Sequence, residues 1–336
     1  MSWWIVERVV HFAPGDLVKD GFVHFGFHGR RGRHFLIDHG RHFLGLVGPH
    51  DQLVWTVAAQ PVLPGVPNIE AALQFPMYVD SLPDGTLVVS NLGNARLYRI
   101  DPPTMTARLL VDGPALGMVD MGNCVVDRHG DIWVNEVKGC RVWTFDQTGR
   151  VVRTLGDGRP GFQADAVSVH DVRFHWIYDL RRGPDDRLYV LDSRNFALRA
   201  IDPVAGLVTT VAGTGATGYS GDGGDARAAT FGSDPTARYD GPISLALDEA
   251  GNAFVGDRRN HVVRAIDHAT GVITTIAGRP EADDVRRNDP GEVDPLGLNL
   301  PQISSMDYFD GRLLVPTDLD DGSGELAVLR MASRSA

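Results

Sequence analysis

The sequence predicts an all-β protein, a six-bladed β-propeller forming one domain over residues 1–336, and three observations predict it. A turn-and-strand pattern recurs four times with one fixed internal interval. Glycine and proline, 39 and 20 residues, are spread along the whole chain, as a succession of short strands and turns requires. Hydrophobic residues make up 43% and charged residues 22%, which is ample apolar material for the core of a large all-β domain.

The recurring pattern decides the fold, because a missed repeat misassigns everything after it. Asp84-Gly85 leads into Leu87-Val88-Val89 and then Leu97-Tyr98-Arg99-Ile100-Asp101. Gly130 leads into Ile132-Trp133-Val134 and Val142-Trp143-Thr144-Phe145-Asp146. Asp186 leads into Leu188-Tyr189-Val190 and Leu198-Arg199-Ala200-Ile201-Asp202, and Gly251 into Ala253-Phe254-Val255 and Val263-Arg264-Ala265-Ile266-Asp267. From turn residue (85, 130, 186 or 251) to closing aspartate the interval is 16 positions in all four. Each unit reads as apolar strand, turn, second strand, polar loop, third strand, turn and fourth strand. The fourth strands are expected at 106–111, 151–155, 207–211 and 272–276. The turn residues stand 45 to 65 residues apart, a spacing suited to four-stranded blades joined by variable loops.

Two weaker copies complete the ring. Near the start, strands are expected at 22–25, 34–37, 43–47 and 53–57. Near the end, they are expected at 302–306, 312–315 and 326–330, one strand short of a blade. The run from Trp3 to Val10 is expected to supply that strand and so remove an open sheet edge.

Charge and motifs exclude several functions. A net charge of −11 does not suit a chain that grips nucleic acid, which needs a basic face to displace counterions. The basic run Arg30, Arg31 and Arg33, beside His28 and His34, reads as an exposed hairpin tip. The N-terminal residues lack a signal-peptide pattern, and no run approaches the roughly 18 apolar residues of a membrane span. A cytoplasmic protein with no membrane partner is expected. Cys124 and Cys140 fall on the first and third strands of one blade, roughly 9 to 10 Å apart, beyond the about 7 Å that a disulfide tolerates. Both are expected to be reduced and structural. Nucleophile-elbow, phosphate-loop, dinucleotide and His-Glu-x-x-His signatures are absent, which sets aside serine-hydrolase, kinase and dehydrogenase chemistry.

The segment Gly218-Tyr219-Ser220-Gly221-Asp222-Gly223-Gly224-Asp225, followed by Leu245-Ala246-Leu247-Asp248, Gly256-Asp257, Asn260-His261-Val262-Val263-Arg264 and Thr274-Thr275-Ile276-Ala277-Gly278, resembles an NHL repeat. The unit holding Asp192, Asn195 and Arg199 resembles it too. The resemblance is to the NHL-repeat six-bladed propellers, related to the peptidyl-hydroxyglycine amidating lyases and the gluconolactonase-like propellers. It implies fold more securely than activity.

Candidate site residues follow from hairpin geometry. Positions about nine before and six after each first turn meet at one end of the channel, the top funnel. Six after stand His39, Asn91, Glu136, Asp192, Asp257 and Thr317. Since the resemblance puts an aspartate here, Asp192 and Asp257 are expected to bond backbone amides of a neighbouring turn, while His39, Asn91 and Glu136 depart from the pattern. Around nine before lie His24, Tyr78, Asn123, His175, Trp176, Tyr178, Asp179, Ser244 and Gln302. His24 and His175 replace a small or proline-containing sequence in blades one and four, which face each other across a six-blade ring.

The resemblance also implies a metal in the funnel, either zinc on histidines or a divalent cation on Glu, Asn and Asp. A third matching histidine is lacking here, which disfavours zinc. Glu136 with Asn123 and Asp179 would suit a harder cation such as calcium. The expectation is therefore a small-molecule enzyme, a lyase, lactone hydrolase or cyclase/isomerase. His175, Glu136, His24 and Tyr178 would be its catalytic groups, and Tyr78, Asn91, Asn123, Trp176, Ser244 and Gln302 would bind substrate, with one divalent cation, calcium or zinc, as the cofactor to test. The alternative is a non-catalytic NHL module presenting loops 213–224 and 281–294 to a protein partner.

Overall fold

Alternating apolar runs flanked by left-handed turn residues become strands where the interval predicts them. A computed structural model describes residues 3–12, 25–30, 33–39, 41–48, 53–163, 167–236, 240–280, 287–289, 294–318 and 324–332. Leu87–Asn91, Ile132–Glu136, Leu188–Asp192 and Ala253–Asp257 are the second strands of four successive blades, and every residue in them is buried. The turn before each needs a positive φ, supplied by Gly85, Gly130 and Gly251 at 86–87° and by Asp186 at 62°.

Six sheets result. Blade 1 holds Phe25–Arg30, Arg33–Asp38, Phe43–Val47 and Leu53–Ala58, with a parallel fifth strand, Asn68–Glu70. Blade 2 holds Pro76–Ser81, Leu87–Asn91, Arg96–Asp101 and Thr106–Asp112, and blade 3 Cys124–Val126, Ile132–Glu136, Arg141–Phe145 and Val151–Leu155. Blade 4 holds Ile177–Arg182, Leu188–Asp192, Ala197–Asp202 and Leu207–Ala212, with Val167–Ser168 added outside. Blade 5 holds Pro242–Leu247, Ala253–Asp257, Val262–Ile266 and Ile273–Gly278. Blade 6 holds Asp307–Phe309, Arg312–Asp318 and Gly324–Ala332, and Trp3–Phe12 closes it, Trp3 opposite Ala332 and Phe12 opposite Gly324. The expected closing strand is therefore present.

Two local expectations are corrected. In blade 1 the first strand is described from Phe25 to Arg30; residues 22–24, where it is also expected, lie outside the described residues. Its hairpin turns over two residues between Arg30 and Arg33, where blade 2 uses five between Ser81 and Leu87, so a position counted from the turn is displaced. That displacement moves the level of Asn91 and Asp192 in blade 1 from His39 to Asp38, which pairs with Phe43 as Asp192 pairs with Ala197. In blade 6, residues 302–306 meet the second strand only at the Ile303–Thr317 bridge, and the ladder starts at Asp307. Pro316 opposite them has no amide hydrogen for a ladder.

The first strands contact one another in sequence, blade 1 to 2 and so on to 6 and back to 1, and so surround the axis. The cores lie between blades: Leu191, Leu198, Phe231, Leu245 and Val255 pack between blades 4 and 5, and Phe254, Val263, Leu313, Val315 and Leu329 between 5 and 6. Full burial of each such side chain stabilises by about 1.5–3 kcal/mol. The outermost strands are wetter, as in Val151–Leu155, where three of the five residues are exposed. Cys124 and Cys140 are buried and unlinked, with the second strand of blade 3 between them.

Candidate functional site

The register places Tyr78, Asn123, Asp179 and Ser244 at one level of the channel wall. Tyr78 pairs with Ser90, Asp179 with Leu191 and Ser244 with Gly256, and Asn123 immediately precedes Cys124, which pairs with Val134. This row stitches blade to blade. Asn123 Nδ2 donates to Asp179 Oδ1, Leu245 N donates to Asp179 Oδ2 at 2.8 Å, and Met306 N donates to Ser244 Oγ at 2.6 Å.

Arg181, two residues beyond Asp179, crosses the axis below that row. Its Nε donates to Leu245 O of blade 5 at 2.9 Å and its Nη2 to Met306 O of blade 6 at 3.1 Å. Its guanidinium carbon lies 4.3 Å from the centroid of the Tyr78 ring of blade 2, and Nη1 is 2.8 Å from Asp179 Oδ1. One side chain of blade 4 thus touches three other blades. Burial pushes the Asp179 carboxyl up to about 6, against the pull of Arg181 and of the Leu245 and Leu180 amides.

The ends of the second strands share one structural task. Asn91 Oδ1 accepts from Gln74 N at 3.0 Å, Glu136 Oε1 from Val119 N at 2.7 Å, Asp192 Oδ1 from His175 N at 2.6 Å and Asp257 Oδ1 from Gly232 N at 3.0 Å. Each donor lies in the segment leading into its own blade. In blades 4 and 5 the second carboxylate oxygen accepts from Asn195 and Asn260, three residues on, at 2.8 Å. In blade 3 the partner is Trp143, whose Nε1 donates to Glu136 Oε2 at 3.0 Å from the level that Arg199 and Arg264 hold in blades 4 and 5. Arg141 stands 3.6 Å from the same oxygen. Glu136 therefore departs from aspartate in length and keeps its role.

The Gly218–Asp225 segment is structural too. Arg264, fully buried, donates to Thr230 O, Ser220 O and Asp222 Oδ1 at 2.7–2.9 Å, and the rings of Tyr219 and Phe231 lie 5.2 and 5.3 Å from its guanidinium carbon.

The expected metal set does not assemble. Glu136 bonds within blade 3 and the loop before it, whereas Asn123 and Asp179 bond across blades 3 to 5. Among the described residues, no group of three or more His, Cys, Asp or Glu side chains is placed to hold a metal. His24 lies outside the described residues. Gln302 is held at the top of blade 6 by Arg258 of blade 5, whose Nη2 donates to Gln302 Oε1.

A cavity of about 460 Å³ opens at the turn end of the channel, opposite the top, lined by Asp80, Ser81, Val126, Asp127, Arg128 and Arg182 among others. Its polar groups are engaged in structure. Asp80 accepts from the Ser81 and Val126 amides, Asp127 from the His129 and Asp131 amides and the Trp133 indole, and both arginines face Asp186. A second, of about 350 Å³, lies at blade 1 and is lined by Arg41, His42, Pro61 and Leu73 among others.

At the top of blade 4 the chemistry is different. His175, Trp176 and Tyr178 are all partly exposed. Trp176 has φ 57°, a left-handed conformation uncommon for a bulky residue. Tyr178 is the bulge residue between the paired Ile177 and Asp179. Arg194, on the loop after Asp192, stacks its guanidinium 4.9 Å from the Trp176 ring centroid, and its amide donates to His175 O. Burial, with the Arg194 charge second, pushes the His175 imidazole below its ordinary value, so it is neutral at pH 7. Sequence reasoning missed Arg194 and Arg181. Arg194 was findable, since it stands two residues beyond a position already assigned to the top.

These observations define a six-bladed β-propeller with a partly exposed polar and aromatic group at the top of blade 4. No protein-family model matches the chain. Suppressor of quenching 1, a chloroplastic protein of Arabidopsis thaliana, is 35% identical over 222 residues, 63% of this chain and 19% of that protein. The chain thus spans about a fifth of the length of the curated relative it matches. Among solved structures, a protein of unknown function from Bacteroides thetaiotaomicron superposes with TM-score 0.65 at 14% identity, over 98% of this chain and 77% of that one. Virginiamycin B lyase from Staphylococcus aureus superposes with TM-score 0.56 at 12% identity, over 99% and 100%. A luciferin-regenerating enzyme does so with TM-score 0.57 at 12% identity, over 97% and 96%. At these identities the likeness is one of fold. No helix among the described residues is long and apolar enough to cross a membrane.

Proposed function

We propose that the chain is a small-molecule enzyme of lyase, lactone-hydrolase or cyclase/isomerase type, built on NHL-like repeats and acting at the top of blade 4. The observation that carries this reading is the contrast between His175 and the other expected polar residues. Glu136, Asn91, Asn123, Asp179 and Ser244 are buried and hydrogen-bonded into the frame, whereas His175 presents a partly exposed, neutral imidazole on a backbone fixed by Asp192. A neutral imidazole takes a proton from a substrate C–H or O–H and returns it to the leaving oxygen, which is what ring opening by elimination or an isomerisation requires. Trp176 offers an aromatic face and Tyr178 a hydroxyl within three residues. The enzymes among the similar folds, virginiamycin B lyase and the luciferin-regenerating enzyme, support an enzymatic use of this architecture.

The test is turnover of a panel of lactones and cyclic esters by the purified chain, compared with His175→Ala and His175→Gln. Loss of turnover in both variants at an unchanged melting temperature is expected. Turnover retained by both would overturn the assignment of His175. The longer relative favours one second reading, an NHL-type protein-interaction module, since its matched segment is a small part of a larger chain. Loop 213–224 is tied to the frame where Arg264 bonds Ser220 O and Asp222 Oδ1, and most of its residues are exposed, as a contact surface requires.

A further inference from the structure

We propose that the cavity at the turn end of the channel is a second ligand site, separate from the top face. It takes a small hydroxylated molecule with one oxyanion head, held by Arg128 of blade 3 and Arg182 of blade 4.

The cavity itself brings the two arginines together. Both line its space of about 460 Å³, and one carboxylate, Asp186, stands between them. Asp186 Oδ2 lies 2.8 Å from Arg128 Nη1, and Asp186 Oδ1 lies 3.7 Å from Arg182 Nη1. Arg182 ends the first strand Ile177–Arg182 and Asp186 stands in the turn after it, while Arg128 follows the first strand Cys124–Val126. Two adjacent hairpins therefore set the pair. Along blade 4, Asp179 belongs to the row above, Arg181 crosses the axis to Leu245 O and Met306 O, and Arg182 reaches the cavity. Arg181 thus divides this cavity from the top-face residues.

One counter-charge serves two guanidinium groups, and their donors outnumber the acceptors supplied to them. A guanidinium carries five N–H donors. Arg128 uses Nη1 on Asp186 and Nε on His129 Nε2 at 3.1 Å. The Arg182 side chain makes the ion pair with Asp186 and no hydrogen bond among the described residues. Ser81 adds a partly exposed hydroxyl to the same wall.

The acceptors are in the opposite condition. Asp127 takes three N–H groups, and Asp80 takes one amide on each oxygen. These two carboxylates lie at the ends of first strands, whereas the arginine side chains stand at the rim, 56% and 38% exposed. An incoming oxyanion meets guanidinium first, whose paired donors match phosphate and carboxylate oxygens. The carboxylates behind repel a second negative charge and accept hydroxyl hydrogens, which defines a body that is hydroxylated and uncharged.

The experiment is isothermal titration at low ionic strength with glycerol 3-phosphate, glycerol and inorganic phosphate. It uses the wild-type chain and the Arg128→Gln, Arg182→Gln, Asp186→Asn and His175→Ala variants, each checked for an unchanged melting temperature. Glycerol 3-phosphate is expected to bind about tenfold more tightly than glycerol, either glutamine variant to remove that preference, and His175→Ala to keep it. Asp186→Asn is expected to tighten glycerol 3-phosphate severalfold, because asparagine tolerates the left-handed turn and withdraws the carboxylate that competes for both guanidinium groups. Inorganic phosphate binding as tightly as glycerol 3-phosphate would overturn the hydroxylated body. Equal binding of glycerol and glycerol 3-phosphate, a preference that survives both glutamine variants, weaker binding in Asp186→Asn, or loss in His175→Ala would overturn the site. Binding of no probe by the wild-type and Asp186→Asn chains would do the same.

Discussion

A Cβ added to Gly139 would collide with the Cδ of Glu136. Blades 4 and 5 carry Asn195 and Asn260 at that position, three residues beyond an aspartate, and the asparagine bonds the carboxylate. In blade 3 the longer glutamate fills the asparagine's place, and glycine makes room for it. Gly139→Asn alone is expected to destabilise the protein, and Glu136→Asp added to it to recover part of the loss. The coupling in a double-mutant cycle should be about 1–3 kcal/mol by urea denaturation. Additive losses would show that the two positions do not share this space.

Arg181→Met would leave the buried carboxylate of Asp179 without its counter-charge. A loss of about 3–5 kcal/mol is expected, read as a lower denaturant midpoint at unchanged slope. Asp179→Asn added to Arg181→Met should cost less than the sum of the two, because the uncompensated charge is then gone.

Stability should fall as pH rises across neutrality. Burial raises the carboxyls of Asp192 and Asp257 to about 7 and that of Asp318 to about 8, all above the ordinary 3.8. The native state then holds protons that the unfolded chain has released, so their stabilising contribution is full below about pH 4 and is lost as pH passes through 7 to 8. Carboxyls held low, such as Asp84 and Asp146, titrate below this window. Urea denaturation between about pH 5 and 9 is expected to show this decline, and Asp318→Asn a shallower one.

Dialysis against a chelator is expected to leave the melting temperature unchanged, because Glu136, Asn123 and Asp179 are hydrogen-bonded into the frame in separate places. A fall that calcium or zinc reverses would reveal a cation site built from other groups.

The blades were legible because the interval from turn to closing aspartate depends on local chemistry, a left-handed residue and a run of alternating apolar positions, both written in contiguous residues. Blade 1 was placed less well, since its two-residue hairpin carries no Asp-Gly marker and shifts the count by one, from Asp38 to His39. Tyr78, Asn123, Asp179 and Ser244 stood among nine residues expected at the top, but the level these four share is defined by register and by amides of the next blade, which no spacing reveals. Glu136 and Asn91 looked exceptional in a linear reading. Their compensations, Gly139 and Trp143 for Glu136 and the Gln74 amide for Asn91, become visible only once the strands are folded beside one another.

The pairing of Trp3–Phe12 with Gly324–Ala332 sets an order of events during synthesis. The first strand is made some 300 residues before its partner. At roughly 5–20 residues per second that is a wait of tens of seconds. For that time a ten-residue strand with two tryptophans has no sheet to join, and five blades stand as an incomplete ring. A nascent chain built this way is exposed to misassociation until its last strand is made, and chaperone dependence should be concentrated in that interval.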